Sequence, residues 1–291
     1  MSLVLHYAGL PLSIALSLIA LVALWIGLSP VLQRRRRRRL WKQAFPPAWE
    51  RILAEEVPGL RRLPADLLRQ LKAHVQVFLD EKRFVGCGGL VVDDRVRVTI
   101  AAQACLLLLN RRGADYYPEL KQVLVYPDAF VVERLRQDAM GLQHHAAQVL
   151  SGESWSRGQV VLSWQAAREG AACLGDGHNV VLHEFAHQID QEFGPANGAP
   201  LLTKREDYAK WSEVLGGEYS RLHEALARGE PTLLDPYAAT DPAEFFACST
   251  ELFYERPQDL AMLHPALYNE LRRFYCVDPI RWGFGNAASG L

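Results

Sequence analysis

His183-Glu184-Phe185-Ala186-His187 puts two imidazoles four residues apart with a carboxylate between them. Four residues are about one helical turn, so both rings project from one face and can close on a single metal ion. Imidazole nitrogens so spaced suit Zn²⁺. Glu184, next to a ligand without being one, is placed as a general base for a water activated by the metal. The surrounding sequence supports a helix. Leu182, Phe185, Ala186, Ile189 and Phe193 recur at helical spacing, Asn179 is a competent N-cap, and Gly194-Pro195 offers a stop.

A catalytic zinc takes three protein ligands and leaves a position open. A third histidine six residues after His187 would complete one known signature, but Phe193 stands there. The third ligand must come from elsewhere, and Asp241-Pro242-Ala243-Glu244 opening a second helix is the strongest candidate. Asp241 can N-cap, Pro242 suits the first helical position, and Glu244 follows at the third. Glu244 could instead close a capping box with Asp241. Tyr237, seven residues upstream, sits where a loop could bring its phenol to the metal. Cys248 reads as a small buried hydrophobe. Glu251 could orient a ligand from behind, but nothing in the sequence selects it. His178 is either a loop residue or a substrate contact.

These segments make the chain resemble the Mlc titration factor A family, zinc peptidases also called DgsA anti-repressors. The resemblance covers roughly residues 65–280. It is carried by Glu81-Lys-Arg-Phe-Val85, Val123 to Val132, Ser151-Gly-Glu-Ser-Trp155, Gly158 to Trp164, His183 to Asp190, and Tyr237-Ala-Ala-Thr-Asp-Pro-Ala-Glu244. It implies a gluzincin-like core similar to that of anthrax lethal factor, with zinc held by His183, His187 and Glu244. In that reading Glu184 is the general base and Tyr237 stands nearby. It also implies a partner, a glucose-responsive transcriptional repressor.

The expected fold class is α+β: a mostly helical metallopeptidase domain with a small mixed sheet, plus one N-terminal transmembrane helix. Helical patterns run from about Pro46, over 64–81, 101–109, 164–172, 205–228 and 241–256, and from Pro257 to Tyr275. Val91–Ile100 alternates as a strand could. Short strands are expected at 122–126, 130–132 and 159–164, and the last is expected to be an edge strand that pairs with extended substrate. His144-His145 reads as part of a polar helix surface. Gly86-Cys-Gly-Gly89 is a turn, too loosely patterned for a phosphate loop. The Gly- and Ala-rich tail 283–291 is expected to fray.

Leu10 to Leu32 carries no charge and is mostly Leu, Ile, Ala and Val; Arg34 to Arg39 follow at once. Its length at ~1.5 Å per residue crosses a hydrocarbon core of ~30 Å. A cleaved signal would carry its positive charge before the apolar run, and none is there. Positive flanks stay cytoplasmic, so the expectation is a single-pass inner-membrane anchor, residues 1–39, with residues 40–291 forming a cytoplasmic peptidase domain. Five scattered cysteines without short spacings fit reduced thiols. A net charge of −1, from 32 basic and 33 acidic residues, gives no field for nucleic acid, and no direct nucleic-acid binding is expected. Two functions remain: a peptidase acting on peptides or proteins, or a binding protein that captures a repressor.

Overall fold

Helix α1, Leu12–Leu40, forms one of two compact units, residues 1–44. The computed structural model describes residues 12–111, 115–137, 143–150, 152–155, 158–173, 175–202 and 204–283; of 12, 13, 15 and 130–155 it describes the backbone alone. Within α1 the stretch Leu16–Leu40 contains an 18-residue window of mean hydropathy 2.0, long and apolar enough to cross a membrane, and its apolar side chains are exposed. Arg37, Arg38 and Arg39 close its last turn, where positive charge meets the negative end of the helix dipole.

The second unit, residues 45–291, holds the other elements. It begins with α2 (Pro47–Glu56), α3 (Ala65–Glu81), β1 (Arg83–Gly86) and α4 (Asp94–Leu106). Strands β2 (Gln122–Tyr126), β3 (Phe130–Gln137), β4 (Gln143–Leu150), β5 (Gly152–Trp155) and β6 (Gln159–Ser163) follow. Then come α5 (Trp164–Ala172), α6 (Val180–Asp190), α7 (Asp207–Ala227), α8 (Pro242–Glu255), α9 (Pro257–Leu263) and α10 (Pro265–Tyr275). The main sheet has the order β1-β2-β6-β5. Its first three strands are parallel and β5 is antiparallel to β6. Strands β3 and β4 form a separate antiparallel pair.

Four expectations are corrected. Strand β6 lies between β2 and β5, so it is interior and cannot offer an edge to substrate; among the described residues β5 holds that edge. Residues 94–100 are helical, not a strand. Asp93 accepts from the Val96 backbone N–H at 3.0 Å, and every residue from Val98 to Leu106 is buried, so burial on all faces erased the period that separates helix from strand. His144 and His145 lie on β4 rather than on a helix. Helix α6 ends at Asp190, short of Gly194, and Phe193 is 75 % exposed. The cause is Asp190, whose carboxylate accepts the Asn197 and Gly198 amides at 2.8 and 2.7 Å and turns the chain. The expected fraying of 284–291 lies outside the described residues.

Helix α6 runs through the core. Val181, Leu182, Phe185, Ala186 and Ile189 are all buried. Phe185 meets Tyr117 edge-on at 4.8 Å and Phe78 at 5.6 Å. Each such side chain contributes roughly 1.5–3 kcal/mol by burial, so rolling the helix would cost several kcal/mol. That locks which way His183 and His187 face.

Candidate metal centre

Helix α6 meets α8 along a seam, and the histidines point into it. Asn179 sets the start of α6. Its side chain accepts the Leu182 N–H at 3.0 Å and donates to the Gly170 carbonyl at 3.2 Å and to Glu255 at 3.1 Å. One residue thereby ties α6 to α5 and to α8. Burial pushes the Glu255 carboxyl up to about 8.

Across the seam Asp241 caps α8, accepting the Ala243 and Glu244 amides, each at 2.9 Å. Glu244 turns its carboxylate to the histidines, 2.9 Å from His183 Nε2 and 3.4 Å from His187 Nε2. The two Nε2 atoms are 3.2 Å apart. These three donors lie within 4.8 Å of one another, a group that could hold a metal ion. Burial works to raise the Glu244 carboxyl, but hydrogen bonds from both histidines outweigh it and hold it well below the usual range.

Glu251, which the sequence raised as able to orient a ligand but did not select, takes that position. Its Oε1 accepts from His183 Nδ1 at 2.7 Å and its Oε2 accepts the Asn179 backbone N–H at 2.6 Å. A carboxylate on Nδ1 fixes the ring so that the Nε2 lone pair faces His187 and Glu244. The signal available was spacing: Glu244 and Glu251, two turns apart on α8, share a face.

The donor set fits a divalent ion. Two nitrogens and a carboxylate oxygen at 2.9–3.4 Å are acceptors crowded together, and they repel unless a cation sits among them. Without a metal a proton takes that place. Burial opposes charge on His183, yet Glu251, Cys248 and Glu244 together hold its pKa well above the ordinary value.

Glu184 is buried beside this group, and its Oε2 has no partner among the described residues. Burial pushes its carboxyl up to about 7 against the pull of both histidines. Tyr237 lies in a 3₁₀ turn, Pro236–Ala239, capped by Asp235, and is 43 % exposed. Its ring centroid is 6.2 Å from that of His183, and burial and the neighbouring Glu244 raise its hydroxyl pKa. His183, Tyr237, His178, Cys248 and Glu251 line one cleft of about 440 Å³. A larger cavity of about 860 Å³, around Arg111, Trp211 and Phe274, contains none of the five site residues predicted from sequence. Its Arg273 is already paired with Asp207 at 2.8 Å and Glu270 at 3.5 Å.

A family model described as glucose-regulated metallo-peptidase M90 matches residues 31–276. The chain belongs to this M90 family. Mlc titration factor A of Escherichia fergusonii is 35 % identical over 237 residues, 80 % of this chain and 87 % of its own length. Mlc titration factor A of Serratia proteamaculans is 35 % identical over 248 residues, 82 % of this chain and 92 % of its own. The family resemblance read from the sequence is therefore borne out. An uncharacterised Synechocystis sp. protein is 40 % identical over 272 residues, 93 % of this chain and 98 % of its own length. That coverage exceeds what residues 40–291 alone could supply, so the similarity extends into part of the N-terminal segment. M90 membership makes this a metallo-peptidase relative with a His/Glu group able to hold the metal.

Proposed function

We propose that this chain is a membrane-anchored, zinc-dependent peptidase that hydrolyses peptide bonds at the α6–α8 seam. His183, His187 and Glu244 are its zinc ligands, Glu184 its general base and Tyr237 its oxyanion donor. The observation that carries this reading is the convergence of three metal-competent atoms within 4.8 Å, beside a buried carboxylate, in a chain of the M90 family.

Zinc held there would supply Lewis acidity, polarising the scissile carbonyl and acidifying the attacking water. Glu184 takes the water proton and returns it to the leaving amine. Its burial keeps the carboxyl near neutrality, suited to both accepting and releasing a proton at physiological pH. Tyr237 donates to the oxygen on which negative charge develops. Its partial exposure at the cleft leaves it able to reach substrate. Extended substrate finds the free strand edge at β5, which lies alongside α6.

In the same proposal residues 1–39 are a single-pass anchor in the inner membrane and residues 40–291 the cytoplasmic catalytic domain. The apolar helix followed at once by six arginines supports that orientation. Protease added to spheroplasts should leave residues 40–291 intact; digestion from outside contradicts the orientation.

The relatives' name, Mlc titration factor A, favours a second reading, in which the chain captures a transcriptional repressor and hydrolysis is minor. Glu184→Gln separates the two. The variant should keep its zinc and lose nearly all peptide turnover, because the base is not a ligand. Turnover equal to wild type removes Glu184 from the chemistry; zinc-loaded wild type that turns over no peptide favours capture.

A further inference from the structure

His183 presents two nitrogens to α8, and each meets a different donor set. Nε2 faces His187 and Glu244. Nδ1 faces Glu251 at 2.7 Å, and the Cys248 thiol lies near the same ring. The ligand-capable atoms of His183, Cys248 and Glu251 all lie within 4.8 Å of one another. Cys248 and Glu251 stand one turn apart on α8, a buried helix whose position is fixed by packing, so their spacing is held before any ion arrives. They are only 7 % and 6 % exposed. Both nevertheless line the 440 Å³ cleft and an adjoining cavity of about 210 Å³, which give a small ion a path from solvent.

We propose that His183 Nδ1, Cys248 Sγ and Glu251 form a second metal site, selective for a soft divalent ion such as Cd²⁺ or surplus Zn²⁺, and that filling it inhibits the peptidase. The sulfur makes the choice of ion. The His183/His187/Glu244 group offers nitrogen and oxygen alone, whereas a thiolate favours thiophilic metals over Mg²⁺ or Ca²⁺.

Binding forms one bond each to sulfur, nitrogen and oxygen. It releases the thiol proton and the Nδ1 proton to solvent, with no change of oxidation state. The Nδ1–H to Glu251 hydrogen bond is replaced by the ion. With both sites filled, the His183 ring bridges two metals as an imidazolate. Inhibition follows for two reasons. Glu251 no longer orients His183 by hydrogen bonding, and a cation stands in the cleft next to Tyr237, where substrate must pass. The second site needs neither His187 nor Glu244, so its binding is independent of the proposed peptidase reading; only the inhibitory effect rests on that reading.

The test is equilibrium dialysis of full-length, zinc-loaded protein in detergent against Cd²⁺. Zinc and cadmium are counted separately, and thiolate-to-cadmium charge transfer is followed by ultraviolet absorption. Wild type should keep its zinc, take up one cadmium and gain the absorption. Cys248→Ser should lose both the cadmium and the absorption while keeping its zinc. Cys173→Ser and Cys276→Ser, which alter exposed thiols, should match wild type. Glu251→Gln should weaken cadmium binding at least tenfold. Failure of wild type to take up cadmium, or absorption that survives Cys248→Ser, overturns the site. Cadmium that slows wild type and Cys248→Ser equally overturns its inhibitory role.

Discussion

Helices α6 and α8 supply the two halves of the candidate centre by different rules. On α6 the chemistry is set by sequence spacing: His183 and His187 are one turn apart, and Glu184 follows the first of them. On α8 two residues of the same type stand two turns apart and do different jobs. Glu244 meets Nε2 of His183 at 2.9 Å, on the side where His187 converges, and Glu251 meets Nδ1 of the same ring at 2.7 Å. One faces the place for a metal and the other fixes the ring from behind. A carboxylate's role here follows from the ring nitrogen it reaches, and residue type says little about it.

In the proposed reading the ligand set lies on α6 and α8 alone, so Tyr237 should touch turnover and leave the metal in place. Tyr237→Phe should lower kcat by ~10- to 1,000-fold, about 1.4–4 kcal/mol, with zinc content unchanged. KM should move little, because the hydrogen bond strengthens mainly in the transition state. Steady-state kinetics on a peptide substrate, with metal counted on the same preparation, checks this. Near-normal kcat with full zinc would remove the phenol from the mechanism. Loss of zinc would make it a ligand and break the two-helix account.

A smaller effect is expected from Glu251→Gln. A glutamine has one acceptor oxygen, so it cannot accept from both His183 Nδ1 and the Asn179 backbone N–H as Glu251 does. Zinc affinity should fall about 10- to 100-fold, the usual loss when a ligand's supporting carboxylate is removed. Competition with a chromophoric chelator measures it. Unchanged affinity would reduce Glu251 to a helix-packing contact.

The α6 half was legible because a local motif, its cap and its apolar face are all encoded within a dozen residues. Glu244 was legible as the strongest candidate from its place after Asp241-Pro242, with a capping role as the lesser alternative, and its side chain turns to the histidines. Glu251 was legible only as a residue able to orient a ligand, and choosing it depends on a partner 68 residues away, a distance that no periodicity carries. The same reason explains the corrections in the fold. The Asp190 carboxylate ended α6 early by capturing amides seven and eight residues on. Strand β6 became interior because β5 paired with it, a tertiary choice that a single apolar run does not reveal. Burial of α4 on every side from Val98 to Leu106 left that stretch without the polar face that marks a helix in sequence.

The most direct test of the centre is zinc bound per chain, measured with its affinity, for wild type and Glu244→Ala side by side. Wild type should hold one zinc tightly and the variant almost none, because a third of the proposed protein ligand set is gone. A Glu244→Ala chain that holds zinc as tightly as wild type would contradict it and return Glu244 to the role of a helix-start residue.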